Sequence, residues 1–270
     1  MLSELDLQPA LACLEKGDNE AALRLFEMID RRNLTTFEEC MILLNEKKCL
    51  EALGRFREAY SKMSSIERLN RDGQFDFFME SGYIHLLFAE GKIQEGIRRG
   101  AAFLTKYKDD LAESQSEYAD VAYDIKLRIS CDLVSAGQFP QAVKALKEFQ
   151  SNAKEEDRAR VCLFLAIAYE QLNNTENAAD ELRTALTLAP PDDVLAMTHY
   201  RLGALDLKQG SADQAKEHFL AAEALKHELI GVPLSELYKF LAAACGYLGE
   251  KSEQMRYLEL VRKFYDGPVI

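Results

Sequence analysis

The sequence predicts an all-α fold, an array of about seven helix-turn-helix units running the length of the 270-residue chain. Three observations predict it. Residues suited to a left-handed backbone recur at Gly17, Gly54, Gly91, Gly137, Asn173, Gly210 and Gly249, 36 to 39 residues apart except for the 46 between Gly91 and Gly137. Glycine, and second best asparagine, ends a helix there at little steric cost. Five residues after most turns stands a small residue, at Ala22, Ala59, Gly96, Ala142, Ala178 and Ala215. Four further on comes a larger apolar one in most copies: Phe26, Met63, Leu146, Leu182, Phe219 and Leu258. Residues four apart share a helix face, and small beside large lets two helices approach while filling the gap between them. Finally, the stretch from Ala159 to Asp192 shows one whole unit, with helix, polar turn, helix and a closing proline.

In chain order the units fall near residues 3–36, 40–73, 77–107, 123–156, 159–192, 196–229 and 235–268, within a single array over 1–270. Pro9 is tolerated only in a first turn, so the first helix is expected to begin near Leu7. The second unit opens on Thr35 and Thr36, each with a glutamate three residues on, Glu38 and Glu39, as a capping box requires. Gly96 and Gly100 occupy the second helix of the third unit and predict the weakest helix of the set, because Gly costs about 1 kcal/mol against Ala in a helix interior. The extended junction over 105–122 is polar and free of Gly and Pro, which predicts longer flanking helices. Pro140 stands where a second helix starts. In the fifth unit Leu165, Ala166 and Tyr169 share one face, Asn173 and Asn174 form the turn, Thr175 is placed to cap, and Ala178, Leu182 and Ala185 line the second helix before Pro190. The sixth repeats this with Leu202, Gly203, Ala215, Phe219 and Ala222. The seventh ends at Phe264, Tyr265 and Asp266, followed by Gly267 and Pro268.

The fifth and sixth units resemble the tetratricopeptide repeat, a helical hairpin of about 34 residues with small and large apolar residues at fixed places and a proline at its end. Cys162 replaces the usual aromatic residue of the first turn. The resemblance extends along nearly the whole chain. It implies a right-handed α-superhelix, or solenoid, whose first helices line a concave groove for a protein or peptide partner. Carried onto this sequence, the family's ligand-facing positions are Asn45 and Lys48, then Phe78, Ser81 and His85, then Arg128, Arg160 and Phe164, then Tyr200 and Arg201, and finally Lys239 and Phe240. That lining is basic and aromatic, and suits an extended, partly acidic segment, since Arg grips carboxylates in two-pronged fashion while aromatic faces hold apolar side chains. The Lys and Asn set of the family's carboxylate clamp is missing from any three successive units, so a chaperone tail is not the expected ligand.

Other features narrow the function. A net charge of −12 argues against a nucleic-acid partner. No apolar run reaches the ~20 residues that cross a bilayer, and the start MLSELDLQPA lacks a signal peptide's pattern, so no membrane partner and a cytoplasmic location are expected. The six cysteines are scattered, without metal-ligand spacing. His85, His199, His218 and His227 read as far apart in the array, and neither HExxH, GxSxG nor a phosphate loop occurs. The expectation is therefore a protein without catalytic residues, cofactor or metal, acting as an interaction scaffold. Two alternatives are a ligand-gated regulator in which a small signalling peptide changes superhelix pitch, and an accessory subunit of an enzyme or secretion complex. Met255, Tyr257, Leu258, Leu260, Val261, Phe264 and Tyr265 crowd more than one face of the last helix, which suggests a homodimer or a docked partner there.

Overall fold

At Gly54 the backbone turns left-handed, with φ at 69°. The Gly54 amide donates to the Glu51 carbonyl (3.0 Å) and the Arg55 amide reaches back to Leu50 (2.8 Å), so two carbonyls at a helix end are satisfied by the turn itself. Asn173, with φ at 58°, closes its turn in the same way through Glu170 and Tyr169. All seven turn positions marked in the sequence carry positive φ. The computed structural model describes the backbone of residues 4–109, 117–229 and 231–264.

Between the turns lie fourteen helices among the described residues, and no strand. The chain divides into two compact units, residues 1–136 and 137–270. The first holds α1 (Glu4–Glu15), α2 (Asn19–Glu27), α3 (Thr36–Ala52), α4 (Phe56–Leu69), α5 (Asp76–Ala89), α6 (Ile93–Lys106) and α7 (Glu117–Ser135). There α1 packs on α2, α3 on α4 and α5 on α6, and each pair meets the next through α2–α3, α4–α5 and α6–α7. First helices of successive pairs also touch, α3 to α5 and α5 to α7. The second unit holds α8 (Phe139–Gln150), α9 (Glu155–Gln171), α10 (Thr175–Thr187), α11 (Asp192–Lys208), α12 (Ala212–Ala224), α13 (Leu234–Tyr247) and α14 (Lys251–Lys263). Its pairs α9–α10, α11–α12 and α13–α14 stack in the same fashion, with α9 touching α11 and α11 touching α13. Contact between neighbours alone is how a solenoid packs.

The small-then-large code supplies the core. Ala22, Phe26, Ala59, Met63, Ala142, Leu146, Ala178, Leu182, Ala215 and Phe219 are all 0% exposed. The code fails in α14, where Leu258 is 39% exposed and Tyr257 is buried instead, stacked on Tyr238. One face of α14 is thus committed to α13 through Tyr257, Leu260, Val261 and Phe264, while Met255 and Leu258 face outward. Tyr265 to Pro268 lie outside the described residues.

Local expectations hold at some places and shift at others. Thr35 forms the capping box: its hydroxyl accepts from the Glu38 amide (3.2 Å) and the Glu38 carboxylate accepts from the Thr35 amide (2.8 Å), so Thr36 is already helical. Thr175 is not the cap of α10. Asn174 takes that place, its Oδ1 accepting from the Asn177 amide (3.2 Å), because Asn173 alone absorbs the left-handed turn. The first helix does not wait for Leu7 but begins at Glu4, with Pro9 inside it, where the ring removes one early hydrogen bond of a terminal helix. At the long junction α7 starts at Glu117, earlier than the period suggests, and 110–116 lie outside the described residues. Gly96 and Gly100 have a packing role: an added Cβ would stand 2.6 Å from Phe88 Cε1 and 2.7 Å from Ile129 Cδ1 respectively. Helix α6 thereby comes close to both α5 and α7.

Candidate functional site

The first helices α3, α5 and α7 enclose a cavity of about 600 Å³. Its apolar wall comes from Met41 and Leu44 of α3, Phe78 of α5 and Val121 of α7. Gly82 lies between them, and a Cβ there would meet Met63 Cε at 2.9 Å and Leu44 Cδ1 at 3.2 Å, so the bare backbone is what brings α5 this near. Of the six ligand-facing positions marked in this unit, Lys48, Phe78, Ser81 and His85 line the cavity. Asn45 instead donates to the Met41 carbonyl within α3 (3.0 Å), and Arg128 pairs with Asp132 and lies over the Phe88 ring at 5.3 Å.

Charge in the cavity is of both signs. Lys47 and Lys48 stand on α3, with Asp120 and Asp124 one turn apart on α7. Lys47 is 1% exposed and its ammonium pairs with Glu51. Burial pulls the Lys47 pKa down, and the Glu51 carboxylate works against that. His85 is pushed down to about 3, by burial first and then by Lys47, Lys48 and Arg128, so its imidazole is neutral at ordinary pH. Lys47 was missed in the sequence, although Leu43, Glu46, Lys47 and Leu50 share one helical phase and all are buried. Two charged residues in an apolar stripe are the signal, since such groups are kept only where partners hold them. Glu46 is held by Arg31 and by Lys62 (2.8 Å).

In the second unit the marked positions reach from one first helix to the next. Arg160 of α9 donates to Asp193 of α11 (3.0 Å), and Arg201 of α11 to Glu170 of α9 (2.9 Å). The Tyr200 hydroxyl donates to Glu236 of α13 (3.0 Å), while its ring meets Phe219 and Phe240 edge-on. Phe240 stacks on Phe219 with centroids 5.3 Å apart. Phe164 is half-buried and Lys239 exposed. Burial raises the Glu170 pKa and Arg201 opposes the rise.

The histidines need a correction. His199 and His218 are not far apart: α11 and α12 form one hairpin, and the two Nδ1 atoms stand 3.0 Å from each other. Among the described residues no group of three or more His, Cys, Asp and Glu gathers as metal ligands, and no helix is long and apolar enough to cross a membrane.

No family model matches the sequence, and no curated protein does. Solved structures do match. The apo form of RapI aligns with a TM-score of 0.75 at 13% identity, over 97% of this chain and 76% of that one. The apo form of the quorum sensor NprR from B. thuringiensis aligns at 0.69 and 17% identity, again over 97% and 76%. The C-terminal part of a TPR repeat-containing protein from Cytophaga hutchinsonii aligns at 0.58 and 12% identity, over 97% and 96%. At these identities the likeness is one of fold.

Proposed function

We propose, taking a tetratricopeptide-like helical solenoid as the premise, that this chain is a non-catalytic interaction module that takes a short peptide segment in the cavity of residues 1–136. The observation that carries the reading is the cavity itself, about 600 Å³ between three consecutive first helices. That volume falls within the ~300–1,000 Å³ of small-ligand sites, and its lining has their character, apolar walls with a few convergent polar groups. Lysines on α3 and aspartates on α7 suit a segment carrying both charges, with its acidic end on Lys48 and its amine or basic end on Asp120 and Asp124. A neutral His85 adds a hydrogen-bonding group that does not repel either end. Two of the structures similar in fold are apo forms, one of them a quorum sensor, which favours a small ligand over a passive scaffold. The extended, partly acidic segment expected from the sequence is narrowed here to a short one that carries both charges.

The test is selection of a random heptapeptide library on the full chain, followed by fluorescence polarisation with the enriched peptides. Lys48→Glu and Asp124→Lys, both at exposed positions, are expected to weaken binding at least about tenfold, as loss of a ~1.4 kcal/mol charge contact would. Lys144→Glu, at an exposed position of α8, should leave it unchanged. Enriched peptides that bind both cavity variants like wild type would sink the assignment.

A further inference from the structure

We propose that His199 and His218 form a two-histidine clamp for a divalent transition-metal ion, with water completing the coordination. The inference is independent of the peptide site. The rings face each other across the α11–α12 hairpin with Nδ1 atoms 3.0 Å apart and centroids 5.2 Å apart. Two imidazole nitrogens at the usual ~2.0–2.1 Å from one ion, and 3.0 Å from each other, subtend an angle of about 95°. Tetragonal Cu²⁺ or Ni²⁺ asks for about 90°. A tetrahedral zinc would place the nitrogens about 3.3 Å apart.

The surroundings prepare the donors. Behind His218, the Nε2 atom lies 3.7 Å from a carboxylate oxygen of Asp206. That distance is longer than a hydrogen bond, but the nearby negative charge favours the tautomer with hydrogen on Nε2, which leaves the Nδ1 lone pair toward His199. Asp206 is itself buried, 6% exposed. The 3.0 Å spacing places the two Nδ1 atoms to share one hydrogen, carried by whichever ring has the Nδ1–H tautomer. When an ion enters, that hydrogen moves to Nε2 of the same ring, so that both Nδ1 lone pairs are presented to the metal. The His218 side chain is 27% exposed, which leaves an approach for the water ligands.

The experiment titrates Cu²⁺ into the full chain by calorimetry and records electron paramagnetic resonance with echo modulation. One Cu²⁺ per chain with two equatorial imidazoles is expected. His199→Asn and His218→Asn should each weaken binding at least about tenfold, and His227→Asn should not change it. Asp206→Asn, at a positioning residue, should weaken binding about tenfold or more while keeping the two-imidazole spectrum. Mg²⁺, an oxygen-seeking ion, should not compete. Circular dichroism establishes that each variant is folded. A His199→Asn/His218→Asn double variant that binds Cu²⁺ as tightly as wild type, or a wild-type spectrum with one imidazole, overturns the proposal and leaves the 3.0 Å contact a simple N–H···N hydrogen bond.

Discussion

Replacing Gly96 with alanine tests the packing of α6 by the sign of the effect. Helix propensity alone makes Gly96→Ala stabilising by about 1 kcal/mol. The structure reverses that expectation. The new Cβ would stand 2.6 and 2.7 Å from Phe88 Cε1 and Cδ1 and 3.1 Å from Cζ, where carbon atoms need about 3.5 Å. Phe88 is 3% exposed and has little room to turn aside, so α5 and α6 must part by close to ~1 Å. Overpacking of this severity belongs near the upper end of the usual range, about 3 kcal/mol, which leaves a net loss of about 2 kcal/mol. In a unit of 136 residues that lowers Tm by about 6–8 °C. Gly100→Ala is the internal control. Its Cβ meets Ile129 Cδ1 at 2.7 Å, the far end of a half-buried side chain that can rotate, so the loss should be under about 1 kcal/mol. Urea unfolding followed by circular dichroism reads both variants. A Gly96→Ala midpoint above wild type, with the same slope, would refute the packing argument and restore the view of α6 as merely weak.

Other expectations concern single contacts. Arg201→Met leaves Glu170 half-buried without its counter-ion; the two side chains are 22% and 17% exposed, so the cost at pH 7 is about 2 kcal/mol. Because burial holds the folded Glu170 pKa above its unfolded value, protonation relieves that cost: stability from this group is full below the unfolded carboxylate pKa and is lost as pH rises through the folded one. The Arg201→Met penalty should therefore be smaller near pH 4 than at pH 7, and equal penalties would show that Arg201 does not act as the partner of Glu170. Ala189 has φ at 48°, so Ala189→Gly is expected to stabilise by about 0.5–1 kcal/mol, and a lower melting temperature would contradict the cost assigned to that conformation. Thr35→Ala removes the cap of α3 and should cost about 1 kcal/mol in thermal unfolding, with Thr36→Ala close to neutral by comparison.

What could be read from the sequence was what local rules decide. Left-handed turns and the small-large pairs depend on a few adjacent residues, so Gly54, Asn173, Ala59 and Met63 sit as expected. Four of the cavity's fourteen lining residues followed from the same register: Lys48, Phe78, Ser81 and His85. Asp120 escaped notice because α7 begins at Glu117, so it fell in a stretch read as junction and not as wall. The facing histidines were hidden for another reason. Their contact depends on side-chain direction across a hairpin, and 19 residues of linear separation say nothing of it. The same holds for Arg160, whose acidic partner lies 33 residues away.

Those paired charges make the order of the hairpins part of the code. Arg160 needs an aspartate supplied by the following hairpin, and Glu170 needs an arginine from it. Exchanging two hairpins of residues 137–270, or inserting a generic one, would keep every alanine-to-leucine contact and still bring a carboxylate opposite an unmatched neighbour. Sequence homogenisation that is harmless in other solenoids would here have to recode both sides of each junction at once.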